Sequence, residues 1–135
     1  MKAVDTNVIV RYLVADDPDQ FRRANAVMGK EAVFIPTSVL LETAWVLSSR
    51  YGIDRGRIAD RLRAVLGLPD VSVADPVAVD QALEWYERGL DYADALHLAL
   101  SIGSGCNGFL TFDHAFARDA NEIQPLKVSE PDGVA

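Results

Sequence analysis

Short apolar segments recurring between stretches of helical period constrain this chain more than any other feature. Residues 3–5, 33–36, 71–73, 109–112 and 126–128 are apolar runs too short for helices, most without strict alternation of apolar and polar side chains. Between them, Phe21, Ala24, Asn25 and Met28 share one helical face, and Ile58, Leu62, Val65 and Leu66 share another. Strands of this kind separated by helices predict an α/β fold: a mainly parallel sheet of four to five strands, covered on both faces in a three-layer α/β/α sandwich. Asp17-Pro18, Ser38 and Asp75-Pro76 mark helix starts, and Gly52, Gly67, Gly89 and Gly103 fall where helices should stop.

A length of 135 residues suits one core without disulfides, and Cys106 has no cysteine partner in the chain. The expectation is one domain over residues 1–128 and a frayed tail over residues 129–135, which hold Pro, Gly and two acids. The lone cysteine fits a reducing compartment, the cytoplasm. Asp5 interrupts the first apolar stretch, which is unlike a signal peptide, and no apolar run reaches the roughly 18 residues of a membrane helix.

The net charge of −7 argues at face value against a nucleic-acid partner. Its distribution is uneven, because five arginines lie between residues 50 and 63 against only Asp54 and Asp60. The acids also need individual explanation. Glu42 is the only charge between Pro36 and Arg50, in a segment apolar nearly all round that predicts a buried helix. An ionised carboxylate there is costly without a partner, so either Glu42 lies on a narrow solvent-facing stripe or a cation compensates it.

Asp5, Asp94 and Asp113 each have an ordinary reading. Asp5 and Asp113 end strand-like segments and would cap the helices that follow, and Asp94 would complement a helix dipole behind the cap Asp91. Taken together, they have another. In a parallel α/β sheet the strand C-termini and helix N-termini share one edge, the edge at which such sheets bind ligands. Four carboxylates carried to that edge would repel one another without a cation. Oxygen-only ligation favours Mg2+ or Mn2+, and phosphodiester hydrolysis is the chemistry that fits.

The motifs sharpen this reading. Val4-Asp5-Thr6-Asn7-Val8, the Leu-Leu-Glu-Thr around Glu42, the Asp-Tyr-Ala-Asp-Ala-Leu-His from Asp91, and the Leu-Thr-Phe-Asp ending at Asp113 resemble the ordered motifs of PIN-domain ribonucleases across nearly the whole chain. That resemblance implies RNA cleavage with Mg2+ or Mn2+ held by Asp5, Glu42, Asp94 and Asp113, with Thr6, Asn7 and Thr111 as supporting polar residues. Within the family the chain most resembles the toxin of a VapBC-type toxin–antitoxin pair, which implies a VapB-type antitoxin as partner. Arg57 and Arg61, four apart on one helix face, are candidates for RNA or antitoxin contact beside the plainer reading of a solvated face. The arginines, with apolar residues near Phe21 and Met28, also lead us to expect a homodimer.

Other readings remain open from the residues alone. A DNA nuclease or a phosphatase could use the same carboxylates, although Asn7 stands where haloacid-dehalogenase-like phosphatases place a second acid. A non-catalytic interaction module would use the acids only as caps. The Gly-x-Gly-x-x-Gly run from Gly103 to Gly108 follows a helix and precedes a strand, the reverse of a dinucleotide fingerprint. Trp45, Trp85 and Tyr86 read as core or interface packing, His97 as a packing residue, and Cys106 as inert.

Overall fold

Aspartates start most of the helices. In the computed structural model, which describes residues 1–132, Asp5 caps α1 (Thr6–Val14), Asp17 caps α2 (Pro18–Asn25) and Asp54 caps α4 (Arg55–Leu66). Asp91 caps α6 (Tyr92–Gly103) and Asp113 caps α7 (His114–Ile123). Each carboxylate accepts a hydrogen bond from an amide in the first turn that would otherwise have no partner. The other two begin at proline: α3 (Thr37–Ser49) follows Pro36 without a side-chain cap, one residue ahead of the start read at Ser38, and α5 (Pro76–Glu87) opens on Pro76.

Helices end near the glycines read as stops, with Gly52 and Gly89 following α3 and α5 at positive φ. Gly67 ends α4 in a right-handed conformation, and Gly103 is the last residue of α6. After α6 the left-handed turn is made by Gly105, at φ +83°, where a side chain would be strained. The glycine-rich run is therefore a helix exit and loop.

The strands are parallel, as expected, and shorter than expected. β1 (Lys2–Ala3), β2 (Val33–Phe34) and β3 (Val71–Ser72) form a ladder in the order β1-β2-β3, with Ala3 opposite Phe34 and Phe34 opposite Ser72. β4 (Phe109–Leu110) and β5 (Val128–Ser129) form a second parallel pair, with Phe109 opposite Val128. The expected sheet of four to five strands is thus a three-stranded and a two-stranded ladder among the described residues. The punctuating residues shorten it: Asp5 turns the chain into α1 directly after β1, and Pro36, with no N–H to donate, follows β2 closely.

The chain divides into two compact units, Met1–Pro76 and the segment from Val77 onward. In the first, Ile9, Val33, Ile35, Leu40, Leu47 and Ile58 are fully buried; in the second, Val79, Leu83, Leu96 and Leu98 are. Trp85 and Tyr86 are buried as read, whereas Met28, considered above for an interaction surface, is also buried. Phe21 is half-buried and stacks on Tyr12 with ring centroids 6.5 Å apart. Part of the expected tail is ordered: Ser129 belongs to β5, and Glu130 pairs with His114 at 3.0 Å. Residues 133–135 of that tail lie outside the described residues. No helix among the described residues is long and apolar enough to cross a membrane.

Candidate functional site

In the second unit the acids gather at the starts of α6 and α7. Asp91 caps α6, accepting from the Asp94 amide at 3.3 Å, so the two side chains share one turn. Asp94 is half-buried. Burial first, then the neighbouring charges of Asp91 and Asp113, push its carboxyl above the usual range, with His97 opposing them. Asp113 is exposed; its Oδ1 accepts from the Phe116 amide at 3.0 Å, and its own amide donates to Thr111 Oγ1 at 3.1 Å. Thr111 therefore supports the turn that presents Asp113.

His97 is exposed, and its ring stacks on Phe109 at 6.3 Å and 10°. Phe109 in turn meets Phe116 edge-on at 5.8 Å, linking α6, β4 and α7 through aromatic contacts. Tyr92, beside Asp91, has the one buried side-chain oxygen or nitrogen without a hydrogen-bond partner among the described residues, and burial raises its phenol far above the ordinary value.

In the first unit, Asp5 Oδ1 accepts from the Thr6 amide at 2.8 Å. The buried Thr6 hydroxyl donates to Glu42 Oε1, tying the start of α1 to the second turn of α3. Glu42 itself is exposed, which corrects the expectation of a helix buried nearly all round. Leu40, Thr43, Ala44 and Leu47 form the buried face of α3, while Ser38, Glu42, Trp45 and Ser49 form an exposed stripe. Thr43 satisfies its hydroxyl on the Val39 carbonyl at 2.7 Å. Glu42 therefore lies on a solvent-facing stripe, where its carboxylate is open to a cation, and Trp45, 62% exposed, is not a core residue.

A cleft of about 190 Å³ opens beside Glu42, with Asn7, Trp45, Arg50 and Tyr51 among its walls. Arg11 also lines it, held by Asp16 at 2.8 Å and by the Tyr51 hydroxyl at 3.1 Å. Burial would raise the Asp16 carboxyl, but hydrogen bonds from Tyr51 and Arg11 outweigh it and hold the group below its usual range. Of this wall, sequence reasoning singles out Asn7 for the site and misses Arg11, Trp45 and Tyr51. Helical spacing from Glu42 was the available signal, since positions 42, 45 and 49 fall on one face. Arg57 and Arg61 do not line this cleft; Arg57 pairs with its own helix cap Asp54 at 3.6 Å.

Among the described residues, no group of three or more His, Cys, Asp or Glu side chains is spaced to hold a metal ion. Within the second unit, Asp94 feels the charges of Asp91 and Asp113; within the first, Thr6 joins the Asp5 cap to Glu42. Capping and ligation are compatible at these positions. Asp5 and Asp113 each use Oδ1 for a helix amide and leave Oδ2 without a hydrogen bond among the described residues.

The sequence matches the protein family described as PIN domain over residues 2–121, a span that runs through both units. No curated protein matches it. Among solved structures, VapC20 of Mycobacterium tuberculosis, described as a sarcin–ricin loop cleaving toxin, is 24% identical, with a TM-score of 0.41 and coverage of 87% of this chain and 94% of that one.

Proposed function

Because the chain belongs to the PIN domain family, we propose that it is a metal-dependent ribonuclease, the toxin of a toxin–antitoxin pair restrained by a VapB-type antitoxin. The observation that carries this reading is the family match over residues 2–121; beside it, Asp94 is a half-buried carboxyl that burial and the neighbouring charges of Asp91 and Asp113 raise above the usual range. The donors are oxygens only, which suits Mg2+ or Mn2+. Asp5 and Glu42 in the first unit, and Asp94 and Asp113 in the second, are the carboxylates proposed to ligate metal, directly or through water. When bound, it supplies charge neutralisation at the phosphodiester and a water of lowered pKa.

The chain's own residues prepare that chemistry. Helix amides fix the rotamers of Asp5 and Asp113 through Oδ1, so each carboxylate is oriented before substrate arrives. Thr6 does the same for Glu42 from a buried position, and Thr111 braces the Asp113 turn. Asn7, exposed beside this pair, offers an amide to substrate. An antitoxin segment carrying Arg or Lys would neutralise the same acids and inhibit by pairing with them. Met28 is buried, so the homodimer included in this proposal must draw on other apolar surface; Leu110 and Phe112, exposed beside Asp113, provide it.

Cleavage of an end-labelled RNA by the purified protein, with and without Mg2+, tests the reading. Mg2+-dependent cleavage that ceases when the antitoxin is co-purified is the expected result. Cleavage of DNA in preference to RNA, or metal-independent binding without cleavage, would replace it with the nuclease or interaction-module alternatives.

A further inference from the structure

Trp45 is a large aromatic surface facing water beside a proposed active carboxylate. It stands one turn beyond Glu42 on the exposed stripe of α3, and both side chains line the same cleft. Arg50, the C-cap of α3, lies further along that cleft, is exposed and forms no ion pair among the described residues. At roughly 1.5 Å per residue, Glu42 and Arg50 are about 12 Å apart along the helix. That length accommodates a few stacked nucleotides at roughly 3.4 Å each.

We propose that this cleft is a subsite for single-stranded RNA, in which a base flanking the cleaved bond stacks on Trp45 and an adjoining phosphate meets Arg50. The inference rests on the ribonuclease reading and adds a specificity-determining surface to it. Three features favour RNA over a protein occupant. An exposed indole offers a face to any base, a sequence-tolerant interaction. The cleft lining carries the side-chain amide of Asn7, which makes no hydrogen bond among the described residues and which an apolar partner would bury unpaired. The free cation at the Arg50 end suits a phosphate, while the acidic end at Glu42 suits the cation-assisted reaction proposed there.

The test compares the parent with Trp45→Ala, Trp45→Phe and Arg50→Ala, using one short RNA and the same strand with abasic sugars at the flanking positions, in Mg2+. Trp45→Ala should raise KM roughly 5- to 150-fold, the range for losing one base–aromatic stack, with kcat little changed. Trp45→Phe should recover most of the loss, and on the abasic strand parent and Trp45→Ala should be alike. Arg50→Ala should weaken binding and lower the slope of log Kd against log salt by about one. Trp45 is exposed, so thermal melts of Trp45→Ala should match the parent. A parent that cleaves RNA while Trp45→Ala shows unchanged KM overturns the subsite alone. An unchanged KM together with an altered oligomeric state does the same and assigns Trp45 to a protein contact. A parent that never cleaves RNA removes the ribonuclease reading and the subsite together.

Discussion

Asp94 is the residue at which burial and function conflict most. Its folded-state carboxyl is raised, so the folded protein binds a proton more readily than the unfolded chain does. The sign follows: this group lowers metal-free stability as pH rises through the window above the unfolded value of 3.8, and the effect vanishes at lower pH. Asp94→Asn should therefore melt at least as high as the parent at neutral pH without metal, with the difference closing on acidification. Added Mg2+ should raise the parent's melting temperature and leave the variant's nearly unchanged. Thermal melts across pH, with and without Mg2+, read this directly; a variant less stable than the parent at neutral pH would contradict it. At this scale the sequence was informative about the caps, since Asp before a helix has a local cause. It left the solvent-facing stripe at Glu42 as one of two alternatives and was misleading about a core place for Trp45, because counting apolar letters in α3 does not say which of them share the outward face.

At the scale of elements, the join between α1 and α3 depends on Thr6. Its hydroxyl is buried and donates to Glu42, thirty-six residues away in the chain. Thr6→Val keeps the shape and removes the donor, and should cost about 1–2 kcal/mol. Thr6→Ser should retain most of that. Urea denaturation would measure both, and equal midpoints for Thr6→Val and the parent would show the contact to be energetically idle. Helix positions were largely legible because Asp caps and first-turn prolines act locally. Strand lengths were not. Apolar runs of three to four residues were read as strands, yet each ladder is two residues long, with residues such as Asp5 and Pro36 closing it early. Long-range contacts such as Thr6 to Glu42 leave no periodic trace at all.

For the whole molecule, the parallel α/β character was legible from the alternation of elements, while the division of strands into two ladders depends on pairings the sequence does not encode locally. The family match crosses both units, so the ribonuclease reading draws on motifs from each. The proposed homodimer would draw on surface left uncovered. Leu110 and Phe112, two positions apart in the chain, are 62% and 75% exposed, an apolar surface that a partner could cover. Phe112→Asp should shift a homodimer towards monomer in light scattering at micromolar concentration; a parent that is already monomeric and fully active would remove the dimer from the account.

The central claim is that the carboxylates act through a divalent cation to cut RNA, and Asp5 tests it most directly because Asn caps a helix about as well as Asp. The measurement is cleavage of a labelled RNA by parent and Asp5→Asn over a Mg2+ titration. The account predicts an intact fold, weaker Mg2+ dependence and a rate lower by at least two orders of magnitude, roughly 3 kcal/mol of lost barrier reduction. An Asp5→Asn protein with the parent's rate and the parent's Mg2+ response would contradict it.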